Sequence, residues 1–174
     1  MKRHFLFYSS VAIAAVLAAP PVRAQQPTTS TTVVYVEGVN CTSSGGKGAL
    51  ATSWSFGATN SGSLGSAGGA VAGKTTVGPF YFTKSFDECS ASLFGLLASG
   101  RNVKRIIVTE RNSKEITILT VELDEAMFTQ YLLSDGGPNA QPVETFVVSF
   151  GRIIITNPAN GSKSGWDIVT NKAL

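Results

Sequence analysis

Residues 116–123 read Ile116-Thr117-Ile118-Leu119-Thr120-Val121-Glu122-Leu123. Successive side chains of a strand alternate between its faces. Thr117, Leu119, Val121 and Leu123 therefore share one face, and Ile116, Ile118, Thr120 and Glu122 the other. Branched residues on both faces favour a pleated strand that is covered twice. A second sheet supplies one cover; in a barrel the other is often a neighbouring subunit.

Outward from that stretch, Val103–Glu110 and Phe146–Thr156 read as strands of the same kind. Upstream, Phe80–Thr83 and Val33–Val36 are β-branched and aromatic, and Leu50–Phe56 alternates with Leu50, Thr52, Trp54 and Phe56 on one face. Residues 40–48 are small and polar, and Gly136-Gly137-Pro138 marks a turn. A single helix is predicted over Ala91–Ser99, with Ser90 as N-cap, Asp87 and Glu88 just ahead of it, and Gly100 just past its end. Leu93, Phe94 and Leu97 would share its buried face. The fold class is all-β: a two-sheet β-barrel or sandwich with one short flanking α-helix.

The 174 residues are 43% hydrophobic and 14% charged, an apolar content that disordered chains lack. Lys2, Arg3 and His4 precede an apolar run from Phe5 to Ala19; Pro20 and Pro21 break it, and Val22-Arg23-Ala24 supplies a small-residue cleavage site. Residues 1–24 are read as a secretory signal peptide cleaved after Ala24. The run is short for a bilayer span, which needs about 20 residues. An uncleaved N-terminal anchor is the alternative. Residues 25–32 form a flexible lead-in, and 33–174 one domain. The expected location is secreted or periplasmic, with no membrane contact after cleavage.

Lys2, Arg3 and Arg23 leave with the signal, so the 14 basic residues fall to 11 and match the 11 acidic ones. Zero net charge removes the electrostatic case for nucleic acid; Lys104, Arg105 and Arg111 are the one basic cluster. The only histidine, His4, leaves too. Ser-His-Asp and Cys-His catalysis and imidazole-built metal sites go with it. No metal, cofactor or catalytic residue is assigned. Cys41 and Cys89 are the whole thiol inventory. In an exported chain an even count favours a disulfide, the alternative being two separate buried thiols.

Residues 57–78 contain seven glycines and read as a long Gly/Ser loop. Within it, Gly68-Gly69-Ala70-Val71-Ala72-Gly73-Lys74-Thr75 matches the letters of a phosphate-binding loop. That chemistry needs a strand before it and a helix starting at the lysine. Gly78 and Pro79 follow instead, at about 1 and 3 kcal/mol in a helix interior. Nucleotide binding is therefore rejected. Glu122 with Asp124, and Asp87 with Glu88, are the paired carboxylates that glycoside hydrolysis would need. A solvated strand end and a helix-start pair explain them as well, and the chain is read as no enzyme. Asn40-Cys41-Thr42 and Asn160-Gly161-Ser162 are glycosylation sequons, relevant only in a eukaryotic secretory pathway.

Residues 74–105, from Lys74-Thr75-Thr76-Val77-Gly78-Pro79-Phe80-Tyr81-Phe82-Thr83-Lys84 to Arg101-Asn102-Val103-Lys104-Arg105, resemble the haemolysin-coregulated protein (Hcp) family of type VI secretion systems. Trp54-Ser55-Phe56-Gly57, Pro142-Val143-Glu144-Thr145 through Phe150-Gly151-Arg152-Ile153, and Gly165-Trp166-Asp167 with Asn171-Lys172 are similar to three more of its segments, in order. The resemblance implies a barrel that assembles with copies of itself into hexameric rings. The rings stack into a tube that shelters effector proteins. It also implies that the loop between strands two and three, here 58–78 with Gly62, Gly65, Gly68, Gly69, Gly73 and Lys74, makes the ring-stacking contact.

Two features depart from the family. Its tube proteins normally carry no signal peptide. Where the family reads G-I-x-G-E-S, this chain has Gly38-Val39-Asn40-Cys41-Thr42-Ser43. A disulfide acquired with export accounts for that change. The second functional reading is a Sec-exported Hcp-fold binding or adhesion module acting outside a type VI apparatus.

Overall fold

The computed structural model describes residues 30–43, 46–64, 70–71 and 73–174. The expected signal, residues 25–29 of the lead-in, and Gly65, Gly68 and Gly69 lie outside the described residues. β1 (Thr31–Val36) begins two residues earlier than read, because Thr31 and Thr32 continue its ladder. Two-residue strands β2 (Thr42–Ser43) and β3 (Gly46–Lys47) follow, then β4 (Ala49–Ala51) and β5 (Ser53–Ser55). Next come β6 (Ala58–Asn60), β7 (Ser63–Leu64), β8 (Ala70–Val71) and β9 (Thr75–Val77). β10 (Phe80–Ser85) leads to α1 (Ser90–Ser99), the only helix among the described residues. β11 (Val103–Arg111), β12 (Thr117–Ser134), β13 (Val143–Ser149), β14 (Arg152–Asn157), β15 (Ser162–Asp167) and β16 (Lys172–Ala173) complete the chain.

The fold is all-β with one flanking helix. Pairing runs β4-β1-β11-β12-β13-β10-β5, all antiparallel, and β4 joins β5 through Thr52 alone, so the circuit closes into a barrel. β14, β15 and β16 widen one wall from the near half of β12. The core fills the barrel with Val34, Val36, Phe80, Phe82, Ile106, Val108, Val121, Leu123, Phe146 and Val148. Phe82, Phe128, Phe146 and Tyr131 pack ring on ring with centroids 5.0–6.3 Å apart, a geometry that adds to simple area burial.

Several boundaries differ from the sequence reading, each for a local reason. The strand seen at 116–123 is the first part of an 18-residue strand that serves both sheets. It pairs with β11 and β14 before Glu125, whose φ is +55°, and mainly with β13 after it. The predicted single strand 146–156 is two strands, broken at Phe150-Gly151. Gly151 donates to the Asp124 carbonyl, and a Cβ there would lie 2.8 Å from the Glu125 carboxylate. A side chain there would have to displace the Glu125 carboxylate from its place beside Arg152.

Leu50–Phe56 is also two strands. Thr52 spends its backbone N–H and its hydroxyl on the Thr83 carbonyl. The alternation slips there, so Ala49 and Ala51 face the core before it and Trp54 and Phe56 after it. Leu50 instead stands opposite Val33 on the outside. The C-terminal hairpin β15–β16 was not foreseen, being rich in serine, lysine and glycine.

The glycine-rich segment 57–78 is not simply a loop. Its described residues form a two-stranded ribbon, β6 on β9 and β7 on β8. Backbone hydrogen bonds need no large side chains, and Thr59, Thr75, Thr76 and Val77 supply β-branched residues. A Cβ at Gly73 would collide with the backbone of Ser61 and Gly62, so the ribbon closes only over glycine.

Candidate functional site

β11, β12, β14, β15 and β16 carry one register row made of Arg105, Asp124, Arg152, Asp167 and Lys172. Its charges alternate from strand to strand on the outer face of the widened wall. The Arg105 Nε donates to Asp124 at 2.8 Å and lies 3.8 Å from Glu122; Arg152 donates to Asp167 at 3.1 Å and reaches Glu125 at 3.0 Å. The hydrogen bond to Asp124 raises Arg105 above the ordinary arginine range, and that to Asp167 does the same for Arg152. Asp167 is held below the usual carboxylate range, first by the Thr170 backbone N–H and then by Arg152.

Glu122 and Asp124 share this face, as the period of two requires, and both answer Arg105. Their geometry is that of ion pairs. Arg111 lies 3.7 Å from Glu115. Two members of the basic cluster, Arg105 and Arg111, thus have carboxylate partners, while Lys104 is exposed.

Beside the charged row runs an apolar one. Tyr35, Ile107 and Ile154 are half-buried there, with Glu122 between the two isoleucines. Ile118, on the same face of β12, is 43% exposed and the neighbouring Ile116 57%. The inner-face residues Val121 and Leu123 are buried. One face of the doubly apolar strand thus meets the core, and the other is open in the single chain.

The ribbon leaves the barrel between β5 and β10, and its base residues Ala58, Thr75 and Val77 share a pocket with Ile155 and Trp166 of the widened wall. Gly57 and Gly78 close its base with a 2.8 Å hydrogen bond, and Ser61 and Lys74 are joined by a bond in each direction. Gly62 and Gly73 face each other near its middle. After Lys74 the chain enters strand β9, where a phosphate loop requires a helix. The described part of the lettered motif therefore lacks the helix that a phosphate cradle needs.

The Sγ atoms of Cys41 and Cys89 are bonded, with Cα atoms 5.1 Å apart. The bridge joins the segment after β1 to the N-cap of α1. Ser90, expected as that cap, is instead the first helical residue. Its hydroxyl is engaged elsewhere: it accepts from the Asp87 backbone N–H and from Lys84 Nζ, and donates to Glu144. Lys84 and Glu144 are fully buried cross-strand partners, 2.7 Å apart, and Asp87 lies 2.7 Å from Lys84. The Tyr131 hydroxyl donates to the other Glu144 oxygen at 2.8 Å; burial, then that carboxylate, push it up to about 12.

This cluster was missed as a cluster. Its signal was present, since Phe80, Phe82 and Lys84 share one face by period, as do Glu144, Phe146 and Val148. Of the expected Leu93, Phe94 and Leu97, Leu93 is buried and Leu97 partly buried on the core; Leu96 completes the buried face of α1, and Phe94 lies at the rim against Tyr131.

Among the described residues, no group of three or more His, Cys, Asp or Glu side chains could hold a metal ion. Among the same residues, no helix is long and apolar enough to cross a membrane.

Residues 30–156 match the family model described as type VI secretion system effector, Hcp. No curated protein sequence matches the chain. Among solved structures, Hcp1 from Salmonella typhimurium is similar at 18% identity and a TM-score of 0.70, covering 83% of this chain and 99% of its own. A structure described as a type six secretion system protein is similar at 19% identity and 0.73, covering 84% and 100%. A type VI secretion system effector from Yersinia pestis is similar at 15% identity and 0.63, covering 78% and 98%. The family model spans 127 of the 174 residues, and the conclusion is direct: this chain belongs to the Hcp family of type VI secretion system proteins.

Proposed function

We propose that the protein is a non-enzymatic structural subunit of the tube type. It closes with copies of itself into rings, the rings stack, and their lumen shelters effector proteins. The observation that carries this is the outer face of β12 and its neighbours. Tyr35, Ile107, Ile118 and Ile154 share one outer face, with Glu122 between Ile107 and Ile154, beside a row of alternating charges. Burying such a face against a second copy gains about 25 cal/mol per Å² of apolar surface removed from water. The ribbon is the candidate ring-stacking element, through Gly62, Gly73 and Lys74 together with Gly65, Gly68 and Gly69. Residues 1–24 add export, so this subunit would work in the periplasm or outside the cell.

Light scattering and negative-stain electron microscopy of the purified chain test the reading. Multimers of fixed stoichiometry with an open centre are expected, and Ile118→Lys should dissociate them while the barrel keeps its thermal transition. A monomer at every concentration would refute it and favour the exported binding module. Deleting residues 61–74 should leave rings that no longer stack; filaments persisting without the ribbon would remove its assigned role.

A further inference from the structure

Besides the bridge, residues 38–43 are held by side-chain packing, with few hydrogen bonds to the rest of the fold. Their described hydrogen bonds stay local: the Val39 N–H donates to Val36, and the Cys41 carbonyl accepts from Gly48. Among the described residues β2 pairs with β3 and lies against β4. Val39 and Cys41 pack on the core, and the sulfur of Cys41 fixes this segment to α1.

The helix has buried anchors of its own, Ser90 in the Lys84–Glu144 cluster and Leu93 and Leu96 in the core, and the bridge adds one at its N-terminus. It has ten residues, no side-chain cap at Cys89, and neither acids in its first turn nor bases in its last. A helix this short is marginal without tertiary anchors. Between the two elements lies a cleft of about 290 Å³. Gly38, Val39 and Asn40 form one wall, and Ser92, Gly95 and Ser99 the other. The bridge sets their separation.

We propose that Cys41–Cys89 is a redox latch on this corner: the barrel folds in either state, and oxidation alone closes residues 38–43 onto α1. Closing the latch forms one S–S bond and removes two electrons and two protons from the thiols. A disulfide-form oxidant, such as an oxidised dithiol oxidoreductase or oxidised glutathione, accepts them through a mixed disulfide and leaves as thiol. Once closed, the bond is shielded, because Cys41 is 7% exposed and Cys89 not at all. Reductant must wait for the corner to open. The chain thereby keeps an open corner in a reducing compartment and a fixed one after reaching an oxidising one. The family pattern G-I-x-G-E-S has a glycine where this chain has Cys41, so the pattern itself supplies no such latch.

Hydrogen exchange with mass spectrometry on the purified chain tests the latch. Three samples are compared: bridge closed by oxidised glutathione, bridge opened by a phosphine reductant, and Cys41→Ala/Cys89→Ala. Opening should speed exchange at least tenfold in residues 38–43 and in the first turn of α1, and less than twofold in β11 and β14. Reoxidation should restore the slow rates. Equal rates at the corner in both states would overturn the proposal, as would acceleration of the whole barrel together. So would failure to recover once the bridge has re-formed. Sedimentation of the same samples keeps the ring proposal separate: monomers in every state with a tenfold corner response would support the latch and count against rings.

Discussion

Lys84–Glu144 and Arg105–Asp124 are built alike. Each is a cross-strand pair in an antiparallel ladder, with nitrogen and oxygen 2.7 and 2.8 Å apart. They differ in the face they occupy. Lys84 and Glu144 point into the barrel and are fully buried, while the Arg105 side chain is 42% exposed. A buried ion has given up its hydration and depends on its partners for all of what replaced it. An exposed one can turn back to water. The barrel thus uses one geometry in two places: a fixed internal junction between β10, β13 and α1, and an outer surface whose arginines already have carboxylate partners.

The largest effect tests the internal junction. Lys84→Met should leave Glu144 charged and buried with only Ser90 and Tyr131 as partners. We expect a loss of about 3–5 kcal/mol in denaturant unfolding. Lys84→Met/Glu144→Leu, which removes both charges, should recover most of that loss. A single-variant cost below about 1 kcal/mol would show that the pair is solvated after all, and the contrast with the outer row would collapse.

Which parts of this contrast are legible before folding follows from the length scale of the signal. Period two in residues 117–123 assigns Val121 and Leu123 to one face and Glu122 with Asp124 to the other, and the structure agrees. The same period places Lys84 beneath Phe80 and Phe82, yet a lysine there reads as a strand end unless Glu144 is known to lie opposite. That pairing spans 60 residues and has no local trace. The sheet switch at Thr52 and the crossing of Gly151 over Glu125 were invisible for the same reason. Both depend on where a distant strand lies, Thr83 in one case and Asp124 in the other. The ribbon was misread because composition reports side chains, whereas its ladders are made by backbone.

An intermediate effect comes from Tyr131, which touches the buried cluster from the rim. Its hydroxyl titrates near 12 in the folded protein, above the usual value near 10, because burial and Glu144 oppose the phenolate. A raised pKa contributes stability that is complete below pH 10 and is lost as pH climbs through 12. Wild type should therefore lose melting temperature between pH 9 and pH 11.5 faster than Tyr131→Phe, which has no proton to release. At pH 7 the variant should itself cost about 1–2 kcal/mol through the lost hydrogen bond to a carboxylate. Parallel pH profiles for the two proteins would detach Tyr131 from the cluster.

The smallest effect belongs to the outer row, and salt distinguishes it from the rest. Asp124→Asn removes the negative charge lying between Arg105 and Arg152 in the register. In a chain of this size an exposed pair contributes little, so the melting temperature should fall by no more than about 3 °C at low ionic strength. Raising salt shortens the screening length from about 10 Å at 0.1 M to about 3 Å at 1 M. The Asp124→Asn deficit should shrink by half or more over that range, while the Lys84→Met deficit should not move, since no ion enters the barrel to screen it. A salt-insensitive Asp124→Asn deficit would mean that the row is already covered in solution. Repeating the measurement on the Ile118→Lys background then identifies the cover, because a second copy on this face would be displaced and the salt response would return.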